Sequence, residues 1–239
     1  MFGDFTSEIF SIVMGELKSH WKMGLLALLI SGGLLLLEWL AARGETPPKK
    51  RIPFLVRWGL VGCVAAAGVY HAWQFAWLGD DAFISFRYSK NLAEGFGLVF
   101  NHGEWVEGFT NFLWTFLLGV LNIAGASIPH TALVLDLAAF VGVVFTVHAI
   151  VNRYAVRHSG LPSWSAIALA CCAPFVIYAT SGLETMPGVL CVVLGIRASL
   201  ARSYVLGALF FVFGAMMRPD HILFWGTMGL ALAIEDVWS

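Results

Sequence analysis

Asp80 and Asp81 stand side by side after a long apolar run, at the head of the densest polar stretch of the chain, Gly79 to Trp114. Adjacent carboxylates at a water boundary can hold a divalent cation. They can also divide the roles of general base and electrostatic partner, because crowding drives their proton affinities apart. Either Asp equally suits the N-cap of a helix beginning at Ala82. In a helix, residues seven and eleven positions on return to nearly the same azimuth, so Asp80, Arg87 and Asn91 share a face. An Arg there could grip a phosphate through two parallel N–H bonds, or pair with a lipid headgroup. Gly95, Gly97 and Gly103 then end the helical pattern.

Two further polar turns interrupt apolar runs. Ser181-Gly182-Leu183-Glu184 ends on a carboxylate that reads either as a ligand or as a charge favoured at a helix start. Arg218-Pro219-Asp220-His221 offers a cation, a carboxylate and a proline suited to the first position of the final helix. His102 and His221 are the histidines nearest these clusters, and a hydrogen-bonding role is expected of each over metal ligation. Trp73, Trp77, Trp105 and Trp114 are expected to anchor the membrane interface.

The elements that position these residues follow from composition. Of 239 residues, 59% are hydrophobic and 12% charged, which excludes an ordinary soluble domain and predicts an integral membrane protein. The net charge of -1 offers nothing to a nucleic acid. Cys63, Cys171, Cys172 and Cys191 lack zinc or disulfide spacing and read as small apolar fillers. Apolar runs at Met23–Leu40, Phe54–Leu78, Thr110–Ile128, Thr131–Val151, Trp164–Ala179, Thr185–Leu200, Tyr204–Met217 and Ile222–Val237 are helix candidates. The first is expected to be an uncleaved span.

The Arg- and Lys-bearing linker 42–53 belongs in the cytoplasm by the positive-inside bias. Asp80 and Asp81 then fall on the outer side. The bias also places Arg153, Arg157, Arg197 and Arg202 inside, provided that 110–128 lies along the outer interface instead of crossing. Under that topology Asp80, Asp81, Glu94, Glu104, Glu107, Glu184, Arg218 and Asp220 converge on one water boundary, and no charges pair near the bilayer midplane. The expected fold class is all-α: a polytopic transmembrane helical bundle with an outer-side loop, 79–130, carrying interfacial helices. Residues 1–53 form an extra span and cytoplasmic linker, and 54–239 the main module.

The order DDAFISFRYSKNLAEGFGLVFN, GEWVEGFTNFLW, ATSGLET and RPD resembles the GT-C superfamily of polytopic membrane glycosyltransferases, and within it the bacterial arabinofuranosyltransferase type. The likeness covers roughly residues 54 to 236. It implies inverting transfer of a sugar from a polyprenyl-phosphate donor to an envelope glycan, lipid or protein, outside the bacterial cytoplasmic membrane. Carried onto this chain, Asp80 becomes the base for the acceptor hydroxyl and Asp81 its partner, with both as ligands of a divalent metal. Arg87 and Arg218 would hold the donor phosphate. Asn91, Glu107, Asn111, Glu184 and Asp220 would shape the acceptor pocket.

Met186 and Pro187 are expected to interrupt a helix start that is continuous in such enzymes. Those enzymes usually continue through further helices, so this chain is expected to be a truncated or split module of one, with a second membrane protein chain as a candidate to complete the fold. A catalytically silent structural subunit is the alternative from another class, and a small transporter or lipid-handling protein a third.

Overall fold

A computed structural model describes residues 54–154 and 163–238. The expected span Met23–Leu40, the linker 42–53, and Arg157 with His158 lie outside the described residues. The described chain is all-α: α1 Phe54–Gln74, α2 Asp80–Ala93, α3 Phe112–Ile123, α4 Ile128–Tyr154, α5 Trp164–Cys171, α6 Ala173–Tyr178, α7 Thr185–Leu200, α8 Tyr204–Met217, a 3-10 turn Pro219–His221, and α9 Ile222–Trp238. Among the described residues one helix, the 27-residue α4, is both long and apolar enough to cross a membrane. At 1.5 Å per residue it reaches about 40 Å. The 12 residues of α3 reach only about 18 Å, too short to cross unaided.

Several boundaries differ from expectation for local reasons. The run Trp164–Ala179 is two helices, not one, because Cys172 turns extended (φ -74°, ψ 107°) and Pro174 sits in the first turn of α6. A proline there has no N–H to give and crowds the carbonyl four residues back. Neither Asp80 nor Asp81 is an N-cap: α2 begins at Asp80, Gly79 holds the cap position, and both carboxylates lie in the first turn, where the helix dipole favours them. Pro187 does not interrupt α7, which starts at Thr185 and so carries the proline in its first turn, where no intrahelical N–H bond is lost. Pro219 opens the 3-10 turn ahead of α9 instead of α9 itself.

Two apolar clusters hold the bundle. One joins Val61 and Ala65 of α1 with Phe140 and Val144 of α4, Ala166 of α5 and Met186 of α7. The other joins Ala82 and Phe86 of α2 with Trp114 and Leu118 of α3, Ala132 of α4 and Met217 of α8. Small residues let the backbones approach: a Cβ on Gly207 of α8 would lie 2.5 Å from Ser199 Oγ and 3.2 Å from the Gly195 carbonyl of α7. Away from these seams α8 and α9 turn Val205, Leu206, Leu209, Phe213, Leu223 and Trp225 outward.

The arrangement of α2 and α3 is the feature that builds the site. Ser85 meets Asn111, Ser89 bonds the Thr115 carbonyl, and Leu92 packs at Gly119. The pairing advances together along both helices, so they run parallel. The connecting loop, 94–111, must therefore travel back along α2, and side chains of α2 pin it. Asn91 donates to the Val99 and Phe100 carbonyls at 2.7 and 3.0 Å, Arg87 Nε to the Phe100 carbonyl at 3.1 Å, and the Tyr88 hydroxyl to the Val106 carbonyl at 2.8 Å. Parallel packing puts the N-termini of both helices at the same end of the bundle.

Candidate active site

At that end the separate motifs meet. Asn111, just before α3 and 7% exposed, donates its amide to Glu184 Oε2 at 2.6 Å and to Ser85 Oγ at 2.9 Å. Its own carbonyl oxygen accepts from Thr115 Oγ1 at 3.0 Å. The other oxygen of Glu184 lies 3.4 Å from Arg218 Nη1. Arg218 reaches Asp220 as a fork, Nε to Oδ1 at 3.2 Å and Nη2 to Oδ2 at 3.3 Å. Glu184 holds the N-cap position of α7 without capping it, so its carboxylate is spent on Asn111 and Arg218.

The turn before Glu184 is fixed with equal care. The Gly79 amide, immediately ahead of α2, donates to the Ser181 carbonyl at 2.9 Å. Gly182 sits at φ 75°, where a Cβ would come within 2.8 Å of Leu78 and 3.1 Å of Phe86. Its N–H donates to Asp136 Oδ2 at 2.9 Å, and its carbonyl accepts from Trp114 Nε1 at 3.2 Å. The starts of α2, α3 and α7 thus converge, and each brings the positive end of a helix dipole to a place lined by carboxylates.

Charge follows this geometry at the Arg218 turn. The Arg218 hydrogen bonds hold the Asp220 carboxyl below its ordinary value, and the same bonds raise the Arg218 guanidinium above its own. Burial pushes His221 below the ordinary 6.5. Its ring packs on Gly188 of α7, with its Nδ1 beside Gly214 of α8. His102 does take a polar partner, Asn91 Oδ1 at 3.4 Å, while stacking on Phe96.

Of the residues singled out from the sequence, Asn111, Glu184, Arg218 and Asp220 form one continuous network. Asp80 and Asp81 are exposed at the start of α2 and make no hydrogen bond among the described residues. Asp81 stands four residues before Ser85 and so borders the face carrying Asn111, whereas Asp80 lies above Arg87 and Asn91. Arg87 and Asn91 hold the returning loop, and Glu107 is exposed on it. Two adjacent carboxylates open to water suit a hard cation that also takes phosphate and water oxygens. No third His, Cys, Asp or Glu among the described residues gathers with them into a metal-binding group.

Ser85, Thr115 and Asp136 were not singled out from the sequence. Asp136 is fully buried in α4, where the expectation that no charges pair near the midplane gives a lone acid no part, and a single acid in a largely apolar helix is the signal that could find it. Trp114 is not an interface anchor. It is wholly buried, with its indole N–H on Gly182, while Trp73, Trp77 and Trp105 are exposed.

Fold and site together define an all-helical module with an acidic, hydrogen-bonded cluster where three helices begin. Over an alignment 199 positions long, which takes in 74% of its residues, the chain is 33% identical to the terminal beta-(1->2)-arabinofuranosyltransferase of Mycobacterium tuberculosis, covering 31% of that protein. It is 36% identical over 118 residues, 47% of its length, to the protein of the same name from Corynebacterium glutamicum, covering 17% of that protein. The likeness to arabinofuranosyltransferases drawn from the four motifs therefore holds across most of the sequence, while the chain spans less than a third of the length of these relatives. No protein-family model matches the chain. No solved structure matches it.

Proposed function

We propose that this chain is a membrane glycosyltransferase module that moves an arabinofuranosyl group from a polyprenyl-phosphate donor to an envelope glycan at the outer face of the bacterial cytoplasmic membrane. The observation that carries the reading is the Asn111–Glu184–Arg218 network, which unites three of the four motifs beside the acidic start of α2. The sugar comes from the names of the two relatives, and the lipid-phosphate donor from the motif resemblance. Membrane residence is supported by α4 and by the apolar outer faces of α8 and α9, which also suit the lipid bilayer or a second membrane chain.

In this reading the Asp80 carboxylate takes the proton of the acceptor hydroxyl as that oxygen bonds to the anomeric carbon of the donor. The bond from that carbon to the lipid-phosphate oxygen breaks with inversion, and its electron pair leaves on the phosphate. Arg218 faces the leaving group. A guanidinium has five N–H donors, and three are engaged by Asp220 and Glu184, which leaves two for phosphate oxygens. Arg87 adds a second positive charge along α2. Glu107, exposed on the returning loop, and the remaining lone pairs of Glu184 accept from acceptor hydroxyls, while Asn111 holds Glu184 in place for that role. Asp80 and Asp81 would hold a divalent cation, which would supply charge neutralisation at the donor phosphate.

The test is transfer of labelled arabinofuranose from a polyprenyl-phosphate donor in membranes containing this chain, with Asp80→Asn and Asp81→Asn as controls. Activity in the native chain that falls at least a hundredfold in Asp80→Asn supports the assignment. A folded native chain with no transfer, or an Asp80→Asn variant with full activity, overturns it and favours the silent structural subunit.

A further inference from the structure

Asp136 is a carboxylic acid on α4, wholly buried, and bonded to the turn that carries Glu184 through one glycine. Its Oδ2 accepts the Gly182 N–H at 2.9 Å, and its Oδ1 has no hydrogen-bond partner among the described residues. On the other side of the same residue, Trp114 Nε1 donates to the Gly182 carbonyl at 3.2 Å. Gly182 is therefore gripped at both its N–H and its C=O, by two helices, in a left-handed conformation that places no side chain between them.

What this grip controls lies one and two residues away. Ser181 receives the amide of Gly79, directly before Asp80 and Asp81, and Glu184 bridges Asn111 and Arg218. A shift of the turn moves both the acidic pair and the carboxylate bridge. A buried N–H that loses its acceptor is strongly disfavoured, so the turn would rearrange if Asp136 could no longer accept. An apolar residue at 136 would suit the buried, otherwise apolar face of α4 at least as well as Asp, which leaves the Gly182 bond as the reason visible in the structure for an acceptor there.

We infer that Asp136 is a positioning residue of the active site, holding the Ser181–Glu184 turn through the Gly182 amide so that Glu184 can bridge Asn111 and Arg218. This deepens the proposed function and rests on it for its catalytic meaning. The role requires an acceptor at this place and not a charge.

The test compares the full chain in lipid nanodiscs with Asp136→Asn, which keeps an acceptor oxygen, and Asp136→Leu, which keeps the volume without one. Amide hydrogen exchange at Gly182 is expected to rise at least tenfold in Asp136→Leu and to stay within threefold of native in Asp136→Asn, while residues 185–200 of α7 keep native protection in both. Sugar transfer should follow the same order, with kcat reduced in Asp136→Leu and rescued in Asp136→Asn. Native exchange at Gly182 in Asp136→Leu, or equal damage in the two variants, overturns the inference. Should Asp136→Leu not fold, Trp114→Phe releases the same residue from its other side. Faster exchange at Gly182 is then expected at least threefold, and unchanged exchange refutes the grip. A native chain without transfer activity defeats the proposed function alone, since the exchange measurement decides the role of Asp136 independently.

Discussion

Replacing Glu184 by Leu removes the group on which the polar network turns, and the cost can be worked from its contacts. The Asn111–Glu184 bond is short, 2.6 Å, and joins a buried amide to a carboxylate that is itself 8% exposed. Charged hydrogen bonds of this kind contribute about 1.5–3 kcal/mol. The Arg218 contact is longer, 3.4 Å, and its guanidinium side is 38% exposed, so solvent screening limits it to about 0.5 kcal/mol. Asn111 keeps Ser85 Oγ for one of its two N–H donors, and the loss of the acceptor for the other is what the upper end of this range reflects. The sum is about 2–3.5 kcal/mol. At about 2–4 °C per kcal/mol for a chain of this size, the melting temperature should fall by about 4–14 °C.

Intrinsic tryptophan fluorescence in nanodiscs would record the transition, because Trp114 is buried against the same turn. A double-mutant cycle with Asn111→Leu separates the pair from the surroundings and should show coupling of about 1–2 kcal/mol. Glu184→Leu melting within about 1 °C of native, or additive effects of the two substitutions, would refute the assignment of this bond as a principal support of the site.

Two further outcomes follow from the geometry. His221, held below its ordinary 6.5 by burial, binds fewer protons folded than unfolded, so its contribution to stability is complete above pH 6.5 and declines as pH falls below it. Melting temperatures at pH 7.5 and 5.5 should differ more for the native chain than for His221→Gln; equal differences would exclude His221 as the cause. Tyr88→Phe deletes the bond to the Val106 carbonyl but keeps the ring packed on Phe109, so it should cost about 1 kcal/mol. Its signature is faster hydrogen exchange confined to residues 101–108, and an unchanged loop would show that Tyr88 does not pin it.

The sequence makes some of this arrangement plain and hides the rest for identifiable reasons. The limits of α7 and α8 coincide with their apolar runs, because polar turns bracket both. The break at Cys172 escapes a count of apolar residues, since Pro174 is apolar and acts through the N–H it lacks. Arg218 and Asp220 are legible as neighbours, but Asn111 and Glu184 lie 73 residues apart and no local pattern pairs them. Ser85 and Thr115 are small hydroxyl residues within helices, common enough to carry no signal until Asn111 is seen between them. The parallel course of α2 and α3 is likewise tertiary: only the length of the loop 94–111 permits it, and only the paired contacts disclose it.

The bond from the Gly79 amide to the Ser181 carbonyl also sets an order of events during synthesis. The pairing of α2 with α3 closes over a short stretch of chain and can form early, whereas the Gly79–Ser181 contact spans about a hundred residues and carries the larger closure entropy. On the ribosome α2 is complete long before the turn that orders its first residues has been made. The acidic pair is thus presented first on a helix whose start still lacks its anchor, and it gains its final setting when residues 181–184 arrive.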